Sequence, residues 1–209
     1  MKEDILEQIA ADWLLQKNGC FVKTNLKYKP SPECDQFNCK SDIIHSDIDL
    51  LSVDLQHPET VTIINCKSWM DGFDFKWFHN YLSDTEKHSK AFGGKEVWKH
   101  FRDLVNEKWH QAFIERIKAE NPLFKKLNYI ILSVFAKNEE YVAEWMTNQL
   151  IIKNFKKSKI EFSIQGKEIA ELVNDIETKG SEYAENSAFC RTLQLLRVAK
   201  RHKIIQQLF

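Results

Sequence analysis

Residues 46–69, SDIDLLSVDLQHPETVTIINCKSW, contain an acid, an amide and a lysine that a β-hairpin would bring together: Asp49, Asn65 and Lys67. The segment alternates in part, turns near His57-Pro58 and continues as a second β-branched run, which predicts a β-hairpin. Antiparallel pairing about that turn sets Asp49 opposite the end of the second strand. The period of two along a strand places Asn65 and Lys67 on one face. The open end of the hairpin is therefore a candidate metal-and-lysine site.

Such a set of side chains suits phosphodiester hydrolysis. Mg²⁺ prefers carboxylate and backbone oxygens, keeps several waters, and lowers the pKa of the water that it binds. A nearby lysine can orient or deprotonate the attacking water, or stabilise charge on the phosphate. We predict Asp49 as a metal ligand, the Cys66 carbonyl as a further oxygen ligand and Lys67 as the catalytic cation.

Two more acids could complete this site. Glu7 projects from a predicted opening helix, on the side that also carries Ala10 and Ala11, whose small side chains permit close approach to the sheet. The alternative for Glu7 is a solvated acid in a first helical turn, where a negative charge is stabilising in any case. Asp47 shares the face of Asp49 and is the second candidate ligand, because it lies nearer the strand entrance.

The chain carries no net charge, with 30 basic and 30 acidic residues, but the charges are uneven. Residues 31–86 hold eleven acids and three bases, which favours a divalent cation, whereas residues 187–209 hold five bases and no acid, which favours phosphate. Ordinary solvated surface explains either region equally well. The candidate DNA contacts are basic residues near helix ends, namely Lys153, Lys156, Lys157, Arg197 and Arg201.

Composition narrows the class of protein further. No apolar run approaches the roughly 20 residues of a membrane span. The amino-terminal sequence MKEDILEQIAADW lacks the basic and apolar blocks of a signal peptide, and five scattered cysteines suit a reducing compartment, so we expect a cytoplasmic protein. Cys34, Cys39 and His45 offer an alternative, a structural zinc site, although they lack a close cysteine pair.

The remaining elements follow from periodicity and turn residues. We predict helices at 3–18, 139–153, 167–178 and 181–208, strands at 21–26, 127–135 and 159–164, a loop at 29–35, and a mainly helical stretch at 76–117 broken near 92–94. This order predicts an α/β fold with a mixed central β-sheet flanked by helices. The domain spans 1–180 with a helical insertion at about 76–120, and 181–209 form a C-terminal helix packed on it. The aromatic residues of the insertion are predicted to be core rather than a base-stacking surface: Trp77, Phe78, Tyr81, Trp98, Phe101, Trp109 and Phe113.

This constellation resembles the restriction-endonuclease-like superfamily, the PD-(D/E)xK nucleases. The resemblance consists of a leading helix with Glu7, a first strand closing on Gly19-Cys20-Phe21, the DIDLL strand with Asp49, and the NCK strand with Lys67. It covers about the first 80 residues, and the later order of strands and helices agrees with the family core. It implies DNA cleavage with Mg²⁺, for which Mn²⁺ can substitute, often by a homodimer or with a partner subunit.

One position departs from the family pattern. The glutamate two residues before the lysine is Asn65 here, as in methylation-dependent relatives that are similar in placing an amide there. An amide oxygen can bind a metal but brings no charge, so metal affinity should fall. Either Glu7 or Asp47 compensates, which predicts a Mg²⁺-dependent nuclease in defence, mobile-element biology or repair, or hydrolysis is lost. In the second case the chain is an inactive nuclease-fold module for DNA binding or assembly.

Overall fold

The computed structural model of this protein describes residues 4–16, 19–34, 37–179 and 192. The helices are α1 (Ile5–Leu15), α2 (Phe75–Leu82), α3 (Arg102–Val105), α4 (Glu107–Glu120), α5 (Val142–Thr147), α6 (Gln149–Ser158) and α7 (Ile169–Lys179). The strands are β1 (Cys20–Tyr28), β2 (Ser46–Asp54), β3 (Thr60–Lys67), β4 (Phe73–Asp74), β5 (Ala91–Phe92), β6 (Lys95–Glu96), β7 (Lys126–Ser133), β8 (Ala136–Lys137) and β9 (Glu161–Glu168).

Five strands form one mixed sheet in the order β1-β2-β3-β7-β9. The pairs β1-β2 and β2-β3 are antiparallel, and the pairs β3-β7 and β7-β9 are parallel. The fold is therefore α/β with a mixed central sheet and flanking helices, which confirms the predicted class. The carboxyl ends of β3 and β7 meet at one edge, where Lys67 lies beside Ser133. Because β2 runs the other way, its first residues share that edge.

Helices cover both faces of the sheet. On one face, α1 and α7 pack on Leu50, Ile64 and Leu132. On the other face, side chains from α2 to α6 form a larger and more aromatic core. The predicted placement of the aromatic residues is confirmed, because each of the seven is either buried in this core or partly buried against it.

The insertion is less helical than predicted. Between the end of α2 and the start of α4 the chain forms 3₁₀ turns at Thr85–Lys87 and Val97–His100, the β5-β6 hairpin and the single turn of α3. The cause is local. Gly93 and Gly94 both adopt positive φ, which closes a tight hairpin turn that other residues rarely allow. The predicted break near 92–94 is therefore confirmed, whereas the mainly helical character predicted for the residues around it is wrong.

The helix predicted at 139–153 is also wrong in its bounds. Asn148 is extended, at φ −61° and ψ 120°, and its side chain accepts hydrogen bonds from the N–H groups of Leu150 and Ile151. It therefore ends α5 and caps α6, which continues to Ser158. None of the helices in the described part is long and apolar enough to cross a membrane. The predicted C-terminal helix lies outside the described residues except for Thr192.

Candidate active site

The polar edge of the sheet lies where β2 begins and β3 ends. Leu50 pairs with Ile64 across the hairpin, so the predicted pairing is confirmed and Asp49 follows opposite the end of β3. The Cys66 backbone N–H donates a hydrogen bond of 2.7 Å to Oδ2 of Asp49. This contact fixes the carboxylate beside the residue that precedes Lys67.

A local irregularity of the β1 backbone lies opposite Asp49. In β1, Thr24 pairs with Leu50 and Leu26 pairs with Ile48, which leaves Asn25 facing Asp49 outside the regular ladder. Asn25 has a left-handed backbone with φ 54°, a conformation that asparagine tolerates better than most residues. The sequence analysis missed Asn25. Its signal is an asparagine inside a β-forming run, where asparagine is otherwise unfavourable.

The carboxylates of Glu7 and Asp49 crowd this edge with negative charge. Burial raises the pKa of Glu7 to about 7, and the charge of Asp49 adds to the rise. Burial also raises the pKa of Asp49 to about 6, against the opposing effects of Lys67 and the Cys66 N–H. Asp47 is exposed and contributes to both rises. Two acids that resist ionisation together form a place where a cation is favourable.

Asn25 also contacts Glu7. Nδ2 of Asn25 donates a hydrogen bond of 3.5 Å to Oε2 of Glu7. Glu7 is half-buried, so the structure places it at the site rather than on the solvated side of α1. Asn25 therefore faces one candidate ligand, Asp49, and contacts the other, Glu7.

Lys67 lies beside the aromatic core, and its ammonium interacts with Asp49 and Asp103. Its Nζ lies 4.9 Å from the ring centre of Phe101 and 5.7 Å from that of Trp69. Burial lowers the pKa of Lys67, while Asp49 and Asp103 oppose the change. A lysine in this setting gives up its proton more readily than an exposed one, which suits exchange of protons with a water.

Only one end of the Asn65 side-chain amide is hydrogen-bonded. Its Nδ2 donates a hydrogen bond of 2.7 Å to the Tyr129 hydroxyl. Its Oδ1 is buried and meets no hydrogen-bond donor among the described residues. Buried acceptors without a hydrogen bond are rare in folded proteins, and a bound ion or an ordered water usually accounts for them.

The oxygen atoms at this edge are of the kind that Mg²⁺ binds. Within the described ranges no three His, Cys, Asp or Glu side chains stand close enough to hold a metal by themselves, and Cys34, Cys39 and His45 therefore form no zinc site. Mg²⁺ needs few protein ligands, because waters fill much of its shell. Asp49, Glu7 and the free oxygen of Asn65 supply the oxygen donors that it prefers.

Cys66 can serve this site only through its backbone. Burial raises the pKa of the Cys66 thiol far above its ordinary value, and nearby acids raise it further, so the sulfur stays protonated. The side chain packs against the layer formed by α1 and α7. A role for its carbonyl oxygen as a ligand stays a prediction.

Two further residues of this edge were missed by the sequence analysis. Asp103 of α3 is 5 % exposed, and its carboxyl group interacts with the hydroxyl group of buried Tyr129. Burial raises the pKa of Asp103, while Tyr129 and Lys67 oppose the change. The available signal is weak, since Asp103 is only a charged residue next to the apolar pair Leu104-Val105.

The predicted DNA contacts lie apart from these residues. Lys153 and Lys157 form ion pairs with Glu107 of α4, and Lys156 is exposed on α6. Helix α6 leads into the amino end of β9, whereas the acids and Lys67 lie at the carboxyl end of β3. Arg197 and Arg201 lie outside the described residues.

Comparisons with models of protein families, with curated proteins and with solved structures gave no match for this chain. The resemblance to the PD-(D/E)xK nucleases therefore depends on the motif residues and on the order of elements alone. The α/β fold with its mixed sheet is compatible with that resemblance.

Proposed function

We propose that this protein is a metal-dependent nuclease that hydrolyses phosphodiester bonds of DNA. The observation that carries the proposal is the hydrogen bond between the Cys66 N–H and Asp49, which joins the acid to the segment that ends in Lys67. Glu7 brings a second carboxylate to the same charged edge. Acid, amide and lysine at one edge are what this reaction requires.

Each side chain has a distinct role in the proposal. Asp49, Glu7 and Asn65 hold a Mg²⁺ ion, with the Cys66 carbonyl and Asp47 as further candidate ligands. A bound divalent ion offsets charge that develops on the phosphate and lowers the pKa of a water. Asp49 is the central ligand because its carboxylate is already oriented by a backbone hydrogen bond.

In the proposal Lys67 accepts a proton from the attacking water. The water oxygen forms a bond to phosphorus, and the bond from phosphorus to one ester oxygen breaks. The proton that the water loses passes to Lys67, whose lowered pKa makes the neutral amine accessible, and the departing oxygen takes a proton from solvent. The stem of Lys67 packs beside Phe101 and Trp69, which keeps the amine in one place.

Cleavage assays on plasmid and linear DNA with Mg²⁺ and with Mn²⁺ test this function. Asp49→Asn and Lys67→Met each remove one charge and keep the side-chain volume, and we expect cleavage to fall by roughly 10²–10⁴-fold. The matched controls are Asp54→Asn at the far end of β2 and Lys126→Met at the amino end of β7. Both controls should cleave like the wild type, and equal activity of Lys67→Met and wild type would exclude catalysis at this edge.

Asn65 supports a second candidate, a nuclease-fold module that binds DNA or a partner without cutting. An amide contributes no charge to a metal site, so this position is where activity is most easily lost. The module predicts DNA binding without cleavage and a melting temperature that does not respond to Mg²⁺. Metal-dependent cleavage that Asp49→Asn abolishes rejects it.

A further inference from the structure

Phe135 carries an exposed aromatic ring on the loop that follows the candidate active site. It comes two residues after Ser133, which ends β7 and pairs with Lys67 at the end of β3. The Phe135 side chain is 38 % exposed, although phenylalanine is usually buried. The ring therefore belongs to the same edge of the sheet as Asp49 and Lys67.

Contacts with neighbouring loops hold Phe135 in place. Its carbonyl accepts a hydrogen bond of 2.9 Å from the Phe73 N–H, and the N–H of the next residue, Ala136, donates one of 2.7 Å to Oε1 of Glu168. One side of the ring lies against Gly72, where a Cβ atom would come within 2.4 Å of a ring carbon. Gly72 also has φ 80°, which glycine adopts without strain. The exposed ring is therefore fixed on the turn beneath it.

That turn begins close to Lys67 and exposes a second apolar side chain. The Gly72 N–H donates a hydrogen bond of 3.0 Å to the Trp69 carbonyl, and Met70 between them is 82 % exposed. The Trp69 ring centre lies 5.7 Å from Nζ of Lys67. We call Met70 and Phe135 the apolar platform, because they lie on adjoining loops that directly follow Lys67 and its partner in β7.

A lysine accompanies the ring of the platform. Nζ of Lys137 lies 5.4 Å from the ring centre of Phe135. At the amino edge of the sheet, Phe21 and Lys23 have the same spacing along the chain and a similar distance of 5.6 Å. Lys23 is neutralised by an ion pair with Glu120, whereas Lys137 forms no ion pair within the described ranges. The pair beside the candidate site thus keeps a positive charge that a phosphate can use.

An exposed ring beside a cation matches the chemistry of a nucleotide in a single strand. Bases stack on aromatic side chains, and lysines contact the phosphates between them. In a duplex both faces of a base are covered by its neighbours, so a ring fixed in place stacks on a base that is unpaired. A protein partner fits less well, because one ring and one methionine offer much less than the roughly 800 Å² that each partner of a stable interface buries.

We propose that the apolar platform binds an unpaired base of the substrate, with Lys137 at the adjacent phosphate, so that this protein acts on single-stranded or locally opened DNA. The inference rests on the proposed function for the identity of the substrate as DNA, and it adds the class of DNA that the edge accepts. Because the turn of the platform begins near Lys67, the unpaired base lies close to the phosphate that is cleaved.

Photocrosslinking with divalent ions chelated tests the base contact apart from cleavage. A single strand that carries one 5-iodouracil forms crosslinks mainly with an aromatic side chain stacked on that base. In the wild type we expect the crosslinked peptide to contain Phe135. The crosslink should be lost in Phe135→Leu and should persist in Phe21→Leu, the matched control at the amino edge.

Binding measured by fluorescence anisotropy, again without divalent ions, gives the size of the effect. Phe135→Leu keeps an apolar contact with Gly72 but cannot stack, so we expect affinity for a single strand to fall by about 5–100-fold and affinity for the duplex to change by less than about 2-fold. Phe135→Tyr retains the ring and should bind the single strand like the wild type. The control Phe21→Leu should do the same.

Each result counts for or against the platform. An equal loss in Phe135→Leu and Phe135→Tyr, or in Phe21→Leu, would reveal a structural role and overturn the base contact. A loss on the duplex as large as that on the single strand would overturn the assignment to unpaired DNA. A wild-type dimer that Phe135→Leu dissociates, seen by analytical ultracentrifugation, would assign the platform to a second copy of the chain instead.

The nuclease proposal stands or falls separately. None of the outcomes above bears on cleavage by Asp49 and Lys67, because all of them are measured without a divalent ion. A protein that crosslinks through Phe135 but cleaves no DNA with Mg²⁺ or Mn²⁺ would overturn the proposed function and support the base contact.

Discussion

Two of the aspartates withdrawn from solvent experience opposite environments. Asp42 is 1 % exposed, and its carboxylate accepts hydrogen bonds from the Asn38 N–H at 2.8 Å, the Ser41 hydroxyl at 3.0 Å and the Lys108 ammonium at 2.5 Å. Burial acts to raise the pKa of Asp42, but these donors outweigh it and the pKa is lowered. Burial likewise acts on Asp49, where it prevails and raises the pKa to about 6.

The difference is the supply of donors and opposing charges. Asp42 accepts hydrogen bonds from three donors, one of which is the Lys108 ammonium, so the protein itself neutralises and solvates this carboxylate. Asp49 shares Lys67 with Asp103 and lies near the further acid Asp47. Burial alone therefore does not distinguish a candidate functional acid from a structural one in this protein. An acid that its own fold leaves incompletely neutralised is the better candidate, because a ligand can supply the missing charge or donor.

The same contrast separates two buried polar side chains with ring or amide nitrogens. His110 is 3 % exposed, with Nδ1 at 2.7 Å from the Asp103 carbonyl and Nε2 at 3.1 Å from the Ser158 hydroxyl. Both ring nitrogens of His110 are satisfied, whereas Oδ1 of Asn65 has no donor in the parts of the chain described. His110 belongs with Asp42 as a structural group, and Asn65 belongs with Asp49.

The largest loss of stability should come from breaking the ion pair between Asp42 and Lys108. Asp42→Ala leaves the Lys108 ammonium, whose side chain is only 13 % exposed, without its carboxylate and removes three hydrogen bonds. Losing one partner of a buried ion pair typically destabilises by about 3–5 kcal/mol, so we expect the free energy of unfolding to fall by about 4 kcal/mol. Urea denaturation at pH 7 measures it. A loss below about 1 kcal/mol would mean that the pair is no stronger than a surface one.

His110 should give a smaller effect that depends on pH. Burial lowers the pKa of His110 from 6.5 to about 4, so between these values the unfolded chain binds a proton that the folded chain does not. Stability from this residue is present above pH 6.5 and is lost as the pH falls to 4, by about 3 kcal/mol. In His110→Gln this part of the pH dependence should be missing. Denaturation curves of both proteins at pH 7, 5.5 and 4 check the difference, and parallel pH profiles would contradict it.

Asp49 should respond in the opposite sense. Its folded pKa of about 6 lies above the ordinary 3.8, so the wild type loses stability as the pH rises through this window. This pKa difference corresponds to about 3 kcal/mol in the free energy of unfolding. In Asp49→Asn the gain is smaller, because Lys67 loses its charged partner. With divalent ions chelated, Asp49→Asn should be more stable than wild type by about 2 kcal/mol at pH 8 and by nothing at pH 4. A variant less stable at pH 8 would place Asp49 with Asp42 as a structural acid.

The hairpin was predictable because its determinants are local. Alternation before His57-Pro58 and the β-branched run after it fix the pairing, and the pairing fixes Asp49 against Cys66. The mixed sheet followed from the order of elements. The error in the insertion was equally local. The Gly93-Gly94 turn was predicted correctly, but non-helical structure extends on both sides of it, from the end of α2 to the start of α4.

The polar network could not be read from the sequence, because it depends on contacts between distant segments. Nothing near Asp103 in the sequence distinguishes it from a solvated acid, and only the packing of α3 against the sheet brings it to Tyr129. Asn25 is similar, since its left-handed backbone becomes meaningful only when β1 pairs with β2. Local patterns thus predicted which residues are candidates for a reactive site, whereas tertiary contacts determine how their side chains are oriented.

The smallest effect is expected at the lysines of α6, where the charges are exposed and paired. Surface ion pairs contribute about 0–1 kcal/mol, so Lys157→Ala should change the free energy of unfolding by less than about 0.5 kcal/mol. Glu107→Gln is the sharper variant, because it releases Lys153 and Lys157 from their shared carboxylate without removing them. If these lysines contact phosphate, DNA affinity should rise in Glu107→Gln, and Lys157→Ala should lower the salt dependence of binding by about 0.9 in the logarithmic slope. Unchanged affinity and slope in both variants would exclude α6 from the DNA interface and leave the carboxyl edge of the sheet as the surface that meets substrate.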